Sequence, residues 1–194
     1  MVRFLLILRT AGGPCTRKRQ ALPADGCVWP STAVPDAQPG PSAPFSRYTT
    51  EVRKEWIDYN GHLNDAGYAV VLSEANEVLL AYLDLSADYR ARTGRAMYTV
   101  ECHIRYLAEC RLGDVLEAAS FLVSADVKRL RVHTALTRVD GTAVATGEHL
   151  YLHFDEAAGR VTAMPPERWA AVETLLTVHA ALDRPTYLGR GIET

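Results

Sequence analysis

Asp65-Ala66-Gly67-Tyr68-Ala69-Val70-Val71-Leu72-Ser73-Glu74-Ala75-Asn76-Glu77-Val78-Leu79-Leu80-Ala81-Tyr82-Leu83 is the stretch that decides the fold. Its apolar residues recur too often to form one narrow stripe, so a helix built from them has a greasy surface around most of its circumference. Such a helix has to be wrapped by other structure rather than lie on a surface. Asn64 or Asp65 supplies an N-cap, and the spacing predicts a helix from about Asp65 to Leu83. Glu74 and Glu77 are its polar exceptions, one turn apart on one side.

The wrapping has to come from the residues that follow. After a connection from Asp84 to Arg95, the period changes to two. Tyr98, Val100, Cys102, Ile104 and Tyr106 form one phase, and Thr99, Glu101, His103 and Arg105 form the other, the pattern of a strand with one greasy and one polar face. Gly113-Asp114 turns the chain into a strand from Val115 to Ser124. Leu130, Val132, Thr134 and Leu136 mark the next, Asp140-Gly141 is a hairpin turn, and Ala143 to Asp155 alternates again. Pro165-Pro166 starts an amphipathic helix carrying Trp169, Val172, Leu176 and His179. Before the long helix, Tyr48 to Trp56 reads as a short strand.

This order predicts an α+β domain, an antiparallel sheet curled around a long central helix, with a C-terminal helix. One such sheet leaves its other face and an edge strand exposed, so a second copy is the expected remedy, as a homodimer or a dimer of dimers.

Composition bounds the rest. The 194 residues are 48% apolar and 23% charged with a net charge of -2, which fits one soluble domain and gives no reason to expect nucleic acid or a membrane as partner. Seven of the ten prolines fall in residues 1–46, so this segment is expected to be a disordered extension, ahead of a domain over residues 47–183 and a tail over residues 184–194 that straps a neighbouring subunit or lies on the surface. Phe4-Leu5-Leu6-Ile7-Leu8 is too short for a signal peptide, and a cytoplasmic location is expected. Cys15, Cys27, Cys102 and Cys110 show neither paired spacing nor a metal-ligand pattern with histidine, so no metal is expected.

The residues that lead into the helix, Glu55-Trp56-Ile57-Asp58-Tyr59-Asn60-Gly61-His62-Leu63-Asn64, combine a carboxylate, two carboxamides, an imidazole and a glycine in one turn. Asp58-Tyr59-Asn60-Gly61-His62-Leu63-Asn64 resembles the Asp-x-x-Gly-His-x-Asn signature of hotdog acyl-CoA thioesterases of the 4-hydroxybenzoyl-CoA thioesterase type. Trp56 to His62, Tyr98 to Ile104, Asp126 to Leu130 and Gly189-Arg190-Gly191-Ile192 are similar to the betainyl-CoA thioesterase branch of that family. The resemblance runs from about Tyr48 to Ile192 and implies a hotdog fold, with hydrolysis of a small acyl-CoA, betainyl-CoA being a candidate, to free acid and coenzyme A.

Thioester hydrolysis needs a base or nucleophile and donors where charge develops on the carbonyl oxygen. The resemblance puts Asp58 in the first role, as general base or as nucleophile, with Gly61 allowing close backbone approach and His62 and Asn64 orienting the turn or the substrate. Amides around Asn64 to Gly67 are expected to form the oxyanion site. Tyr59, Asn60, Tyr68, Glu74, Glu101 and His103 are candidates for binding the acyl group, since a carboxylate and aromatic rings suit a quaternary ammonium, while solvation or subunit ion pairs explain the charged ones equally well. Lys128, Arg129 and Arg131 are candidates for the coenzyme A phosphates. No cofactor is implied, coenzyme A being part of the substrate.

Two rival readings stand beside the thioesterase. Hotdog hydratases and dehydratases carry an Asp-x-Asn-x-x-His pattern, but here His62 follows Asp58 by four residues rather than five. A non-catalytic acyl-CoA-binding hotdog protein would call for an effector domain, of which the proline-rich segment has no pattern.

Overall fold

The computed structural model describes residues 43–191. In chain order it contains β1 (Phe45–Glu51), a short 3-10 turn (Lys54–Trp56), α1 (Asp65–Tyr82), α2 (Ala87–Thr93), β2 (Arg95–Tyr106), β3 (Val115–Asp126), β4 (Arg129–Arg138), β5 (Ala143–Asp155), β6 (Arg160–Val161) and α3 (Pro166–His179). The strands form one antiparallel sheet in the order β1-β3-β4-β5-β2, with β6 paired to β5. α1 lies against its inner face and buries Tyr68, Val71, Leu72, Ala75, Asn76, Leu79 and Leu80. The expected architecture, a curled sheet around a long apolar helix, is the one observed.

Differences lie at the margins and have local causes. β1 begins at Phe45, ahead of the expected strand start at Tyr48, and ends at Glu51, short of the expected Trp56, because Lys54–Trp56 wind into a 3-10 turn. The expectation for residues 1–46 falls mostly outside the described residues. α2 occupies what reads as a connection. It buries only Tyr89 and ends on Gly94 in the left-handed conformation, so seven residues carry too little apolar pattern to announce a helix.

β2 departs from its single-phase reading. Its register against β5 shifts between Thr99 and Glu101, a bulge at Val100 that flips the alternation. Tyr98 pairs with Leu152 and Glu101 with Leu150, so Tyr98 shares the outer face with Glu101, His103 and Arg105, whereas Cys102, Ile104 and Tyr106 face α1.

The interior is two apolar clusters rather than one. Leu79, Leu80, Leu83, Leu122, Leu130, Val132 and Tyr151 belong to the first, with Val172 and Leu175 of α3. Tyr48, Val52, Leu63, Tyr68, Val71, Leu72, Leu116, Leu136 and Val144 belong to the second. Between them, the hydroxyl of Thr134 donates to Asn76 Oδ1 at 2.8 Å and shares a hydrogen bond with Ser120 Oγ at 2.8 Å. All three residues are buried. His149 joins this polar layer, its Nε2 3.2 Å from Cys102 Sγ. Gly147 makes the room, since a Cβ there would meet His149 Cε1 and Leu72 Cδ1 at 2.9 Å each.

α3 opens with Pro165 as N-cap and Pro166 in the first turn, where a missing N–H costs nothing. Its last residue, His179, accepts the N–H of Leu122 on Nδ1 at 3.0 Å, covering β3 beyond the point where pairing with β1 ends at Phe45–Ser120. After α3 the chain returns across the outer face of its own sheet. Tyr187 meets His133 Nε2 at 3.0 Å and lies under the Arg105 guanidinium, and Gly189 N–H donates to Glu148 Oε2 at 3.0 Å. The outer face of β4 and β5 is thus partly closed by the chain's own tail.

Candidate active site

The turn between β1 and α1 is a miniature hairpin. Ile57 and Leu63 form an antiparallel bridge, Asp58 N–H donates to His62 O at 2.9 Å, and Asn64 N–H donates to Trp56 O at 2.9 Å. Gly61 sits at φ +80°, a conformation that L side chains adopt only with strain. Leu63 is buried and packs against α1 where Gly67 has no side chain; a Cβ at Gly67 would run into Leu63 Cδ1.

A second segment locks the turn from below. Leu63 N–H donates to Cys110 O at 2.7 Å, and Tyr68 Oη donates to Ala108 O at 2.9 Å. Tyr106 lies edge-on to Tyr68 with ring centroids 5.4 Å apart. The exit of β2 is therefore fixed beside the start of α1.

The Asp58 carboxylate stands on this frame and is partly exposed. Its Oδ1 accepts the N–H of Asn60 at 2.8 Å and of His62 at 3.4 Å, and its Oδ2 accepts Asn60 Nδ2 at 3.3 Å. Desolvation pushes the carboxyl upward, but the donors from Asn60 and His62 outweigh it and hold the group below its ordinary value. At neutral pH it is an ionised acceptor of low basicity.

Asn64 caps α1, its Oδ1 accepting Gly67 N–H at 2.9 Å. The amides expected to stabilise an oxyanion are largely engaged. Asn64 N–H goes to Trp56 O, Ala66 N–H to Asp65 Oδ1 at 2.9 Å, and Gly67 N–H to the cap. An oxyanion there would compete with side-chain acceptors that the substrate has to displace.

The other candidates separate into groups. Asn60 and Tyr59 stand on the turn with Asp58, and Tyr59 is 96% exposed. Tyr68 is buried and held by Ala108. Glu74 faces β1, accepting the hydroxyl of Tyr48 with Arg53 Nη2 3.9 Å away. Glu101 and His103 occupy the outer face of β2, away from α1.

Lys128, Arg129 and Arg131 lie at the far end of the sheet. Arg129 pairs with Asp126 and Arg131 with Glu148, and the two arginines line a cleft of about 340 Å³ with Ser124, Ala125, Asp126 and Leu150. The register places Arg129 in the row of Leu152 and Tyr98, and Arg131 in the row of Leu150 and Glu101, eight and five residues of β2 from Tyr106 beside the start of α1, roughly 25 and 17 Å at the rise of a strand. One protomer therefore does not bring Asp58 and these cations together.

Sequence reasoning missed Glu109, whose Oε2 is 3.3 Å from His62 Nε2, because nothing in the spacing links residues 47 apart. It also missed the Cys102–His149 contact, which needs the strand register. Among the described residues, no group of three or more His, Cys, Asp or Glu could hold a metal ion, and no helix is long and apolar enough to cross a membrane.

The thioesterase-like superfamily matches residues 52–176. A betainyl-CoA thioesterase of Pseudomonas aeruginosa is 38% identical over 149 residues, covering 76% of this chain and 94% of that protein. An L-carnitine dehydrogenase/betainyl-CoA thioesterase of Agrobacterium fabrum is 43% identical over 149 residues, 77% of this chain, and the match spans only 30% of that longer protein. A hypothetical protein of Staphylococcus aureus, solved in complex with CoA, superposes with a TM-score of 0.73 at 27% identity over 79% of this chain and 98% of its own.

Proposed function

The chain belongs to the thioesterase-like superfamily, and we propose that it hydrolyses a small acyl-CoA to the free acid and coenzyme A. The observation that carries the reading is Asp58, an ionised carboxylate held by Asn60 and His62 on the turn that feeds α1. Asp58 serves the reacting carbonyl as general base or nucleophile, and Gly61, His62 and Asn64 shape the turn around it. The relatives named for betainyl-CoA support that acyl-CoA as the first substrate to try. A trimethylammonium group suits Tyr59, Asn60 and the carboxylate of Glu101.

The acting form is a homodimer. No described strand pairs the outer edge of β2, which with its exit carries exposed Tyr98, Val100, Tyr106 and Leu107, an open template for another strand. Antiparallel pairing of two β2 edges about a twofold axis near their middle sets the Asp58 turn of one copy beside the Tyr98 and Arg129 end of the other. Lys128, Arg129 and Arg131 then serve the coenzyme A bound at the partner's Asp58.

A panel of acyl-CoA thioesters that includes betainyl-CoA, followed by release of free thiol, tests the reaction. Thiol release from at least one short acyl-CoA is expected. Hydration of an enoyl-CoA without thiol release would replace the thioesterase by a hydratase.

A further inference from the structure

We propose that the C-terminal segment from Tyr187 to Gly189 is a positioning strap for the coenzyme A cleft, setting the Arg131 guanidinium through Glu148. The inference rests on the thioesterase reading above, which places Arg131 at coenzyme A but gives this segment no part.

The strap is built at several points. Leu188 N–H donates to Pro185 O and Arg190 N–H to Tyr187 O, each at 3.2 Å, so two successive turns shape it. The Tyr187 hydroxyl lies 3.0 Å from His133 Nε2, and its ring centroid lies 4.1 Å from Arg105 Cζ. Gly189 N–H donates to Glu148 Oε2 at 3.0 Å. Gly189 sits at φ +73°, and a Cβ there would meet Arg131 Nη2 at 2.9 Å. A glycine satisfies both the turn and the close approach.

Glu148 joins the strap to the cleft. Its Oε1 accepts Arg131 Nε–H at 2.7 Å and an Nη2 hydrogen, while Oε2 holds the strap. The pair is mostly shielded, with side chains 34% and 18% exposed, unlike a mobile surface ion pair. Arg131 borders the cleft with Arg129, and Glu148 does not. The Glu148 contacts engage one edge of the guanidinium and leave the Nη1 hydrogens for a phosphate. A long cation fixed before the anion arrives loses less conformational freedom on binding than a free one. The strap therefore favours the phosphate-bearing end of the substrate and leaves the thioester untouched.

The test compares the full chain as wild type, Tyr187→Ala, Gly189→Ala and Tyr187→Phe. These substitutions leave Arg131, Glu148 and every charge in place. Two thioesters of one acyl group are followed by thiol release, the acyl-CoA and the N-acetylcysteamine thioester, which lacks the phosphates and the nucleotide. Calorimetry measures binding of coenzyme A itself. Both alanine variants are expected to raise KM for the acyl-CoA and Kd for coenzyme A about fivefold, the scale of one hydrogen bond, with kcat little changed. Tyr187→Phe, which keeps the ring under Arg105, stays closer to wild type. The kcat/KM for the N-acetylcysteamine thioester does not move. Unchanged KM and Kd in both alanine variants overturn the strap's role, and so does an equal loss with both thioesters, which a general loosening of the fold would produce. Gly189 is exposed, so Gly189→Ala carries the test alone should Tyr187→Ala not fold. A wild type that cleaves no thioester but binds coenzyme A more tightly than the alanine variants overturns the thioesterase reading and leaves the strap standing. A wild type that binds no coenzyme A overturns the strap's role, whatever it cleaves.

Discussion

The hydroxyl of Thr134 reaches across from β4 to Asn76 on α1, 2.8 Å away, in a layer with no access to water. Replacing Asn76 by leucine keeps the volume but leaves that hydroxyl with Ser120 Oγ as its remaining partner. A loss of about 1 kcal/mol follows, read as a fall in the urea midpoint. The triple variant Asn76→Leu/Thr134→Val/Ser120→Ala should recover part of it, because no hydroxyl of the layer is then left without a partner. A single variant with the wild-type midpoint would mean that the layer contributes nothing.

Gly147 is the counterpart of this layer on β5. Alanine there puts a Cβ 2.9 Å from His149 Cε1 and from Leu72 Cδ1, and both neighbours are buried. Overpacking of this kind costs about 1–3 kcal/mol. Thermal unfolding of Gly147→Ala should show a lower Tm, and an unchanged Tm would place His149 elsewhere.

His133 predicts how stability follows pH. It is 2% exposed between Phe121 and Tyr187, and burial lowers its pKa from 6.5 to about 4, with Glu148 opposing this and Arg105 adding to it. The folded protein binds fewer protons here than the unfolded chain between those two values. Stability is therefore full above pH 6.5 and falls with pH through that window, by on the order of 3 kcal/mol. Urea titrations from pH 4.5 to 7.5 should show this slope in the wild type and a flatter one in His133→Phe. Equal slopes would assign the dependence to other groups.

The architecture was legible because its signals are long. Nineteen residues of helix pattern and four alternating runs of about ten residues average out local exceptions, and β5 falls on the expected Ala143–Asp155. Short devices were not legible. One extra residue at Val100 exchanges the faces of β2, and α2 buries a single tyrosine. At the site, the turn announces itself because Asp58, Asn60, Gly61, His62 and Asn64 are neighbours in sequence. Glu74 engaging Tyr48 and Glu109 facing His62 depend on contacts across 26 and 47 residues, which no spacing rule encodes.

Asn60 controls the state of Asp58. Its side chain and backbone supply two of the three donors on the carboxylate, so Asn60→Ala removes the side-chain donor and leaves the backbone ones. Carbon-13 titration should find Asp58 below the ordinary aspartate value of 3.8 in the wild type and closer to it in Asn60→Ala. The stabilisation tied to this group is present above 3.8 and is lost as pH falls through the lower folded value. Identical titrations would show that the turn does not tune the carboxylate.

Asp58→Asn keeps the size and polarity of the side chain while removing its charge. With the acyl-CoA that wild type cleaves fastest, thiol release by Asp58→Asn should fall at least about a hundredfold, with unfolding by urea little altered. Equal turnover in the two proteins would contradict the account, because the carboxylate on the turn before α1 would then have no part in the chemistry.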